Sequence, residues 1–266
     1  MKNDTDKYII ATVETALDVL EAISDFSNGF TISDISKKLG LSKSKAYRYI
    51  ETLKKRDYIK STNTKRKHHS KYKAGFSAYE TSCKLISSMD LHKEAKPIME
   101  NLVREIHETV YLVIVKNEKV LYLDKVETSQ KVNTSSFIGL QLPIGNSAAG
   151  TVLLANSQQD QHNSDFYQKI KGQGYCVDKD VLGHGVTSIA TPVLDETGTA
   201  IASLCLVAPS YRLKHEVLSG KGLTASLINA AERISCNLGY RNNSLISEYA
   251  PTSSHSRHCG VGQVGL

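Results

Sequence analysis

Apolar residues recur with a helical period at the start of the chain. Val13, Ala16, Leu17, Leu20 and Ile23 fall at i, i+3, i+4, i+7 and i+10, which predicts an amphipathic helix with that stripe turned to a core. Asn28-Gly29 breaks the pattern. Thr31 and Ser33 are candidate caps for a short second helix, with Ile32, Ile35 and Leu39 facing inward. Gly40 supplies a tight turn, because glycine takes positive φ without a side-chain clash. Ser42 or Ser44 opens a third helix whose inward residues are Ala46, Ile50 and Leu53. That leaves Lys43, Ser44, Lys45, Tyr47 and Arg48 outward at its N-terminal end. After Asp57, Tyr58 to Lys60 and His68 to Lys73 read as two short strands around the polar turn Thr62 to Lys67, with Tyr72 packed beneath.

Phe76, Tyr79, Cys83 and Ile86 then keep helical spacing across residues 76–88, predicting a connecting helix whose stripe also suits a dimer contact. Leu91 to Glu108 continues as a further helix, with Pro97 accommodated in a first turn. The period next shortens to two. Val110 to Val115 and Val120 to Leu123 flank the turn Lys116 to Lys119, and Lys131 to Ile138 is a third candidate strand. Ser147 to Ala155 reads as a helix opened by Asn146 or Ser147. Val186 to Leu194 and Ala200 to Ala208 are strands joined by the turn Asp195-Glu196-Thr197-Gly198, and Val217 to Leu238 is a long amphipathic helix. Strands paired as hairpins with flanking helices predict an α+β domain rather than a doubly wound sheet. The last residues, 241–266, are rich in Ser, Gly and Asn without apolar periodicity and read as a mobile tail.

Charge changes this picture from a fold to a function. From Lys37 to Lys73 there are fourteen Lys or Arg against two acids, a local net of +12 in a chain whose formal net is +6, so the remainder is acidic on balance. Cations gathered on two short helices and a hairpin are the electrostatic footprint of a surface that grips a phosphate backbone. On a helix-turn-helix, Ser42, Lys43, Ser44, Lys45, Tyr47 and Arg48 occupy the end of a recognition helix that reaches base edges. Tyr47 either does this or packs against the first helix. Lys65, Arg66 and Lys67 form the tip of a wing placed for phosphate or minor-groove contact, or else a basic loop with no fixed partner. Lys37 and Lys38 serve phosphates or solvent.

Several classes drop out. No stretch approaches the run of about 20 apolar residues that crosses a bilayer, and the N-terminus lacks the apolar core of a signal peptide. A cytoplasmic protein with no membrane partner is the expectation. Five widely spaced cysteines without CxxC or Cys/His zinc spacing predict reduced thiols, no metal site and no cofactor. His184 with Asp178 invites a metal reading, set against an exposed loop histidine; His255, His258 and Cys259 offer only adventitious binding. No nucleophile elbow, P-loop, HExxH or dinucleotide fingerprint is present. A hydrolase using Ser147 or Ser188 with His184 and Asp178 therefore rests on residue types alone. An architectural DNA-binding protein without ligand control is the other alternative.

The segments TALDVLEAI, FTISDISKKLGLSKSKAYRYIETL and DYIK, then LPIGNSAAGTVLLA, GQGYCVDKDVLGHGVTSIATPVLDETG and AAERISCNLG, carry a further signal through their order and spacing. From about Ala11 to Gly239 the chain resembles the IclR family of transcriptional regulators. The resemblance implies an N-terminal winged helix-turn-helix (residues 1–75), a linker helix (76–89) and a GAF-like effector-binding domain with a curved antiparallel sheet flanked by helices (90–240). It implies homodimers, often paired into tetramers, on partly palindromic double-stranded operators. The function it implies is a repressor of a catabolic operon controlled by a small-molecule effector, a carboxylate or sugar acid. It gives main-chain N–H donors at Ala148 and Ala149, a polar anchor at Asp178 and a wall or hydrogen bond at Ser188, beside Ser147. Leu140, Leu142 and Ile144 supply apolar lining. The chain departs from many relatives at Gly145 (often His), Thr151 (often Lys after Gly150) and Ser188 (often Cys). Small residues in GNSAAG let a backbone approach a ligand, and a helix N-terminus favours an anion. Close helix–sheet packing explains the same residues.

Overall fold

The first three helices, α1 (Ala11–Ile23), α2 (Ile32–Leu39) and α3 (Lys43–Lys55), close around Val19, Ile35, Ala46 and Ile50, all fully buried. The computed structural model describes residues 8–26, 28–62, 71–157, 164–183, 185–213 and 222–241. Thr31 caps α2 through a capping box: its hydroxyl oxygen accepts from the Asp34 N–H at 3.3 Å, and Asp34 accepts from the Thr31 N–H at 2.8 Å. That backbone hydrogen bond holds the Asp34 carboxyl below its ordinary range. Gly40 ends the helix at φ 64°, as the turn requires. The face that α1 buries is Val19, Ala22 and Ile23, so of the predicted stripe only Ile23 is buried, with Ala16 and Leu20 half-buried. Val13 and Leu17 are exposed with Tyr8, Ile9 and Ile10, because α2 and α3 pack against the helix's C-terminal half alone.

Strands β1 (Ile59–Ser61) and β2 (Tyr72–Ala74) pair antiparallel with Ile59 opposite Ala74. The second strand thus lies C-terminal to most of the predicted His68–Lys73. Phe30 exchanges backbone hydrogen bonds of 2.9 and 2.8 Å with Tyr72, and their rings stack at 5.8 Å. This bridge seats the hairpin on the helices and was not legible in the local pattern. Residues 63–70, which include Lys65, Arg66 and Lys67, lie outside the described residues. Helix α4 (Phe76–Ser88) buries none of its side chains.

The chain divides into two compact units, Met1–His92 and Lys93–Leu266, with the division inside α5 (Asp90–Ile106). Pro97 stands in the middle of α5 rather than in a first turn. An interior proline costs about 3 kcal/mol. Burial of the apolar Ala95, Ile98, Met99, Leu102, Val103 and Ile106 offsets it, at roughly 1.5–3 kcal/mol for each large side chain.

The second unit holds a curled six-stranded antiparallel sheet in the order β5-β4-β3-β8-β7-β6. Its strands are β3 (Thr109–Lys116), β4 (Lys119–Val126), β5 (Gln141–Pro143), β6 (Cys176–Lys179), β7 (Val186–Leu194) and β8 (Ala200–Pro209). Asn117 and Glu118, both at positive φ (51° and 59°), make the β3–β4 turn. The candidate strand Lys131–Ile138 does not form: β5 takes the edge of β4 instead, with Leu142 opposite Val120. Residues 131–138 run as irregular backbone, and the Phe137 ring lies 5.7 Å from that of Tyr111 and 6.0 Å from that of Tyr122. Helix α6 (Ala148–Ala155), buried at every residue, covers the same sheet face, followed by α7 (Asp165–Gln173). Helix α8 (Leu223–Asn237) is the described part of the predicted C-terminal helix and packs on β7 and β8 from the other side. Among the described residues, no helix is long and apolar enough to cross a membrane.

Arg212 forms a bidentate pair with Glu108 at 2.6 and 2.7 Å and donates to the Val132 carbonyl at 2.9 Å, tying the irregular segment to the sheet. Glu108 is only 4% exposed. Arg212→Ala would strand that charge, so a loss of about 3–5 kcal/mol is expected in a denaturant titration followed by circular dichroism.

Candidate functional site

Two surfaces matter: the exposed end of α3 and the α6 side of the curled sheet. Ser42 caps α3, its hydroxyl oxygen accepting from the Lys45 N–H at 3.3 Å. With Ala46 and Ile50 buried, the helical period turns Lys43, Ser44, Lys45, Tyr47 and Arg48 to solvent. Tyr47 is 50% exposed, so its ring is not buried against α1. Neighbouring cations are engaged within the protein. Lys38 pairs with Asp25 at 2.5 Å, Lys54 with Glu51 at 3.0 Å, and Lys60 lies 4.6 Å over the Phe76 ring. Among the described residues Lys43, Lys45 and Arg48 make no ion pair, so their charge stays available to an outside anion.

On the sheet, cross-strand pairing places Tyr111, Cys205, Ala190 and Cys176 in one row, and Val207, Ser188 and Asp178 in the next. Both rows face α6. Ser147 caps α6, its hydroxyl oxygen accepting from the Gly150 N–H at 3.1 Å. Asp178 reaches the same helix end: one carboxylate oxygen accepts from the Ala148 N–H, and the other accepts from the Ser188 hydroxyl at 2.6 Å. Desolvation raises the Asp178 carboxyl above its ordinary range, against these two bonds. Leu140, Leu142 and Ile144 are partly buried against the cluster formed by Tyr111, Tyr122 and α6. Sequence-selected Leu142, Ile144, Ser147, Ala148, Ala149, Asp178 and Ser188 therefore converge around one helix end. Gly150 lies there too, for packing reasons: a β-carbon on it would stand 1.8 Å from the Ile144 carbonyl oxygen.

The pattern reading missed Tyr111, Tyr122 and Phe137, whose rings cluster beside this corner. The one signal available was the alternation of Val120 and Tyr122 along β4. Burial raises both tyrosines and pushes the Cys176 thiol up to about 11. His184, invoked for a metal or a hydrolase, lies outside the described residues, and no metal-ligating cluster occurs among those that are described. The Ser147 hydroxyl is occupied as a helix cap.

A winged helix-turn-helix followed by a curled-sheet domain defines a DNA-binding transcriptional regulator rather than an enzyme. Residues 12–62 match the family described as the IclR helix-turn-helix domain. Residues 83–168 and 164–236 match "Bacterial transcriptional regulator IclR C-terminal". The chain belongs to the IclR family. It is 25% identical over 255 residues to the HTH-type transcriptional regulator KdgR of Escherichia coli K12, covering 88% of this chain and 94% of that protein. The fold matches an IclR-type transcriptional regulator from Alicyclobacillus acidocaldarius with a TM-score of 0.73 at 19% identity, over 87% of this chain and 100% of that one. It also matches an IclR homolog from Microbacterium hydrocarbonoxydans solved with 4-hydroxybenzoate, at TM-score 0.65 and 21% identity, over 85% and 98% of the two chains.

Proposed function

We propose that this regulator is a cytoplasmic repressor of a catabolic operon, released by a small carboxylate or sugar acid. In this reading a homodimer, or a pair of dimers, binds a partly palindromic operator. The α3 residues Ser42, Lys43, Ser44, Lys45, Tyr47 and Arg48 enter the major groove, and Lys65, Arg66 and Lys67 of the wing flank it on the backbone. The observation that carries the DNA reading is the set of exposed cations at the capped start of α3 that make no ion pair among the described residues. The effector would sit against Leu142, Ile144, Ser147, Ala148, Ala149, Asp178 and Ser188, and helix α4 would carry the change towards the DNA-binding unit. Support comes from the convergence of those side chains on one helix end and from the 4-hydroxybenzoate seen in a homolog of this fold. Repression then requires the effector to bind one arrangement of the protein better than another.

The test is selection of an operator from genomic fragments, followed by anisotropy titration against short carboxylates, sugar acids and aromatic acids. A two-fold symmetric footprint and at least tenfold weaker operator binding with one of these acids are expected. An asymmetric single-site footprint would sink the dimer, and operator affinity indifferent to the whole panel would leave ligand control without support.

A further inference from the structure

A cleft of about 310 Å³ opens at the end of β7 that lies away from Ser188. At about 3.3 Å per residue, Thr191, Pro192 and Leu194 in its lining stand roughly 10–20 Å along the strand from that serine. The polar groups of its floor are already occupied. The Thr191 hydroxyl donates to the Gly174 carbonyl at 2.9 Å. The Ser235 hydroxyl accepts from the Leu194 N–H at 2.9 Å and donates to the Ala231 carbonyl at 2.8 Å. Pro192 has no N–H to offer. What remains for an occupant is the apolar surface of Pro192, Leu194 and, from α8, Ile228. Tyr240 adds an aromatic face: its N–H donates to the Ser235 carbonyl at 2.9 Å, and its ring lies beside Gly198 of the β7–β8 turn, 3.6 Å from where a β-carbon there would stand. Lys171 and Glu232 also line the cleft, both exposed and without an ion pair among the described residues. One charge of each sign at the mouth favours no net charge inside.

We propose that this cleft binds a second ligand, a neutral single-ring compound of the phenol kind, at a site that is separate from the effector corner and does not rest on that reading. The size fits: a cavity of about 150 Å³ takes a benzene ring, so 310 Å³ holds a ring with a short substituent. The ring lies on Pro192, Leu194 and Ile228 beside Tyr240, where aromatic contact adds to the burial of area. Its hydroxyl stays at the mouth, where the Glu232 carboxylate and water can accept its proton in a hydrogen bond. An ionised ligand would instead bring charge onto a floor whose donors and acceptors are all engaged, and would lose its hydration there. A bound ring touches α8, β7 and the β7–β8 turn together, so it stabilises their packing by mass action.

Cys236 provides the readout, being an exposed free thiol in the cleft, and Cys83, an exposed free thiol in the other unit, is the control. The full-length protein is alkylated with iodoacetamide at fixed pH while phenol is titrated, and each site is followed by peptide mass spectrometry. Alkylation of Cys236 should slow saturably, by about tenfold at ten times the half-protecting phenol concentration, while Cys83 reacts as before. Benzoate, the charged counterpart, should need a concentration higher by about tenfold or more. Ile228→Trp fills the cleft with a larger ring and should lose the protection. If that variant does not fold, Tyr240→Ala removes the aromatic face and should raise the half-protecting concentration about fivefold. Equal slowing at both thiols, slowing without saturation or no slowing at all overturns the inference. So does benzoate matching phenol, or parent-like protection in the folded variant.

Discussion

Replacing Lys43, Lys45 and Arg48 together by alanine should abolish operator binding at physiological salt while leaving the fold intact. All three are exposed on α3 and free of ion pairs among the described residues, so no internal partner is stranded by their removal. Exposed changes of this kind alter stability by about 0.5 kcal/mol or less. A base contact is worth about 1–3 kcal/mol, and each lost phosphate contact lowers the salt slope by roughly 0.9. Three losses therefore weaken binding at least about a hundredfold, since 1.4 kcal/mol is a factor of ten. Lys54→Ala is the contrast, because that lysine already pairs with Glu51 at the far end of α3, and a much smaller change is expected. Anisotropy titrations at several salt concentrations read both quantities. Parent-like affinity in the triple variant would remove the start of α3 from the DNA interface.

Gly150→Ala should be among the most damaging single substitutions in the chain. A β-carbon there would lie 1.8 Å from the Ile144 carbonyl oxygen and 3.0 Å from a Val120 methyl. The oxygen is backbone, held in the short turn before a helix that is buried at every residue, so neither side can give way cheaply. Overpacking of this severity exceeds the ordinary cost of about 1–3 kcal/mol, and a loss above about 4 kcal/mol or failure to accumulate soluble protein is expected. Gly145→Ala, five residues earlier, meets nothing within 4 Å and should melt like the parent. Denaturation of the two variants side by side separates close packing from a general intolerance of this loop.

The contrast between those two regions explains which parts of the molecule were legible beforehand. The helix-turn-helix follows from neighbours in sequence: Thr31 capping three residues on, Gly40 at positive φ, and apolar spacing that turns Ala46 and Ile50 inward. The β3–β4 and β7–β8 hairpins are local too, set by turns of a few residues. Strand β6 was not legible, because four residues are too few for a period to register. Lys131–Ile138 had the composition of a strand, yet β5 took the only edge β4 offers.

By itself the sequence determined the recognition helix and its cations, since a cap, a period and charge are properties of a few consecutive residues. It also determined the small-residue opening of α6. Only the tertiary structure decided that the Ala148 N–H is filled by Asp178, thirty residues away, and that Tyr122 is buried against the same corner. Those facts depend on register across β4, β3, β8, β7 and β6, and register is fixed by burial of whole faces rather than by any single segment.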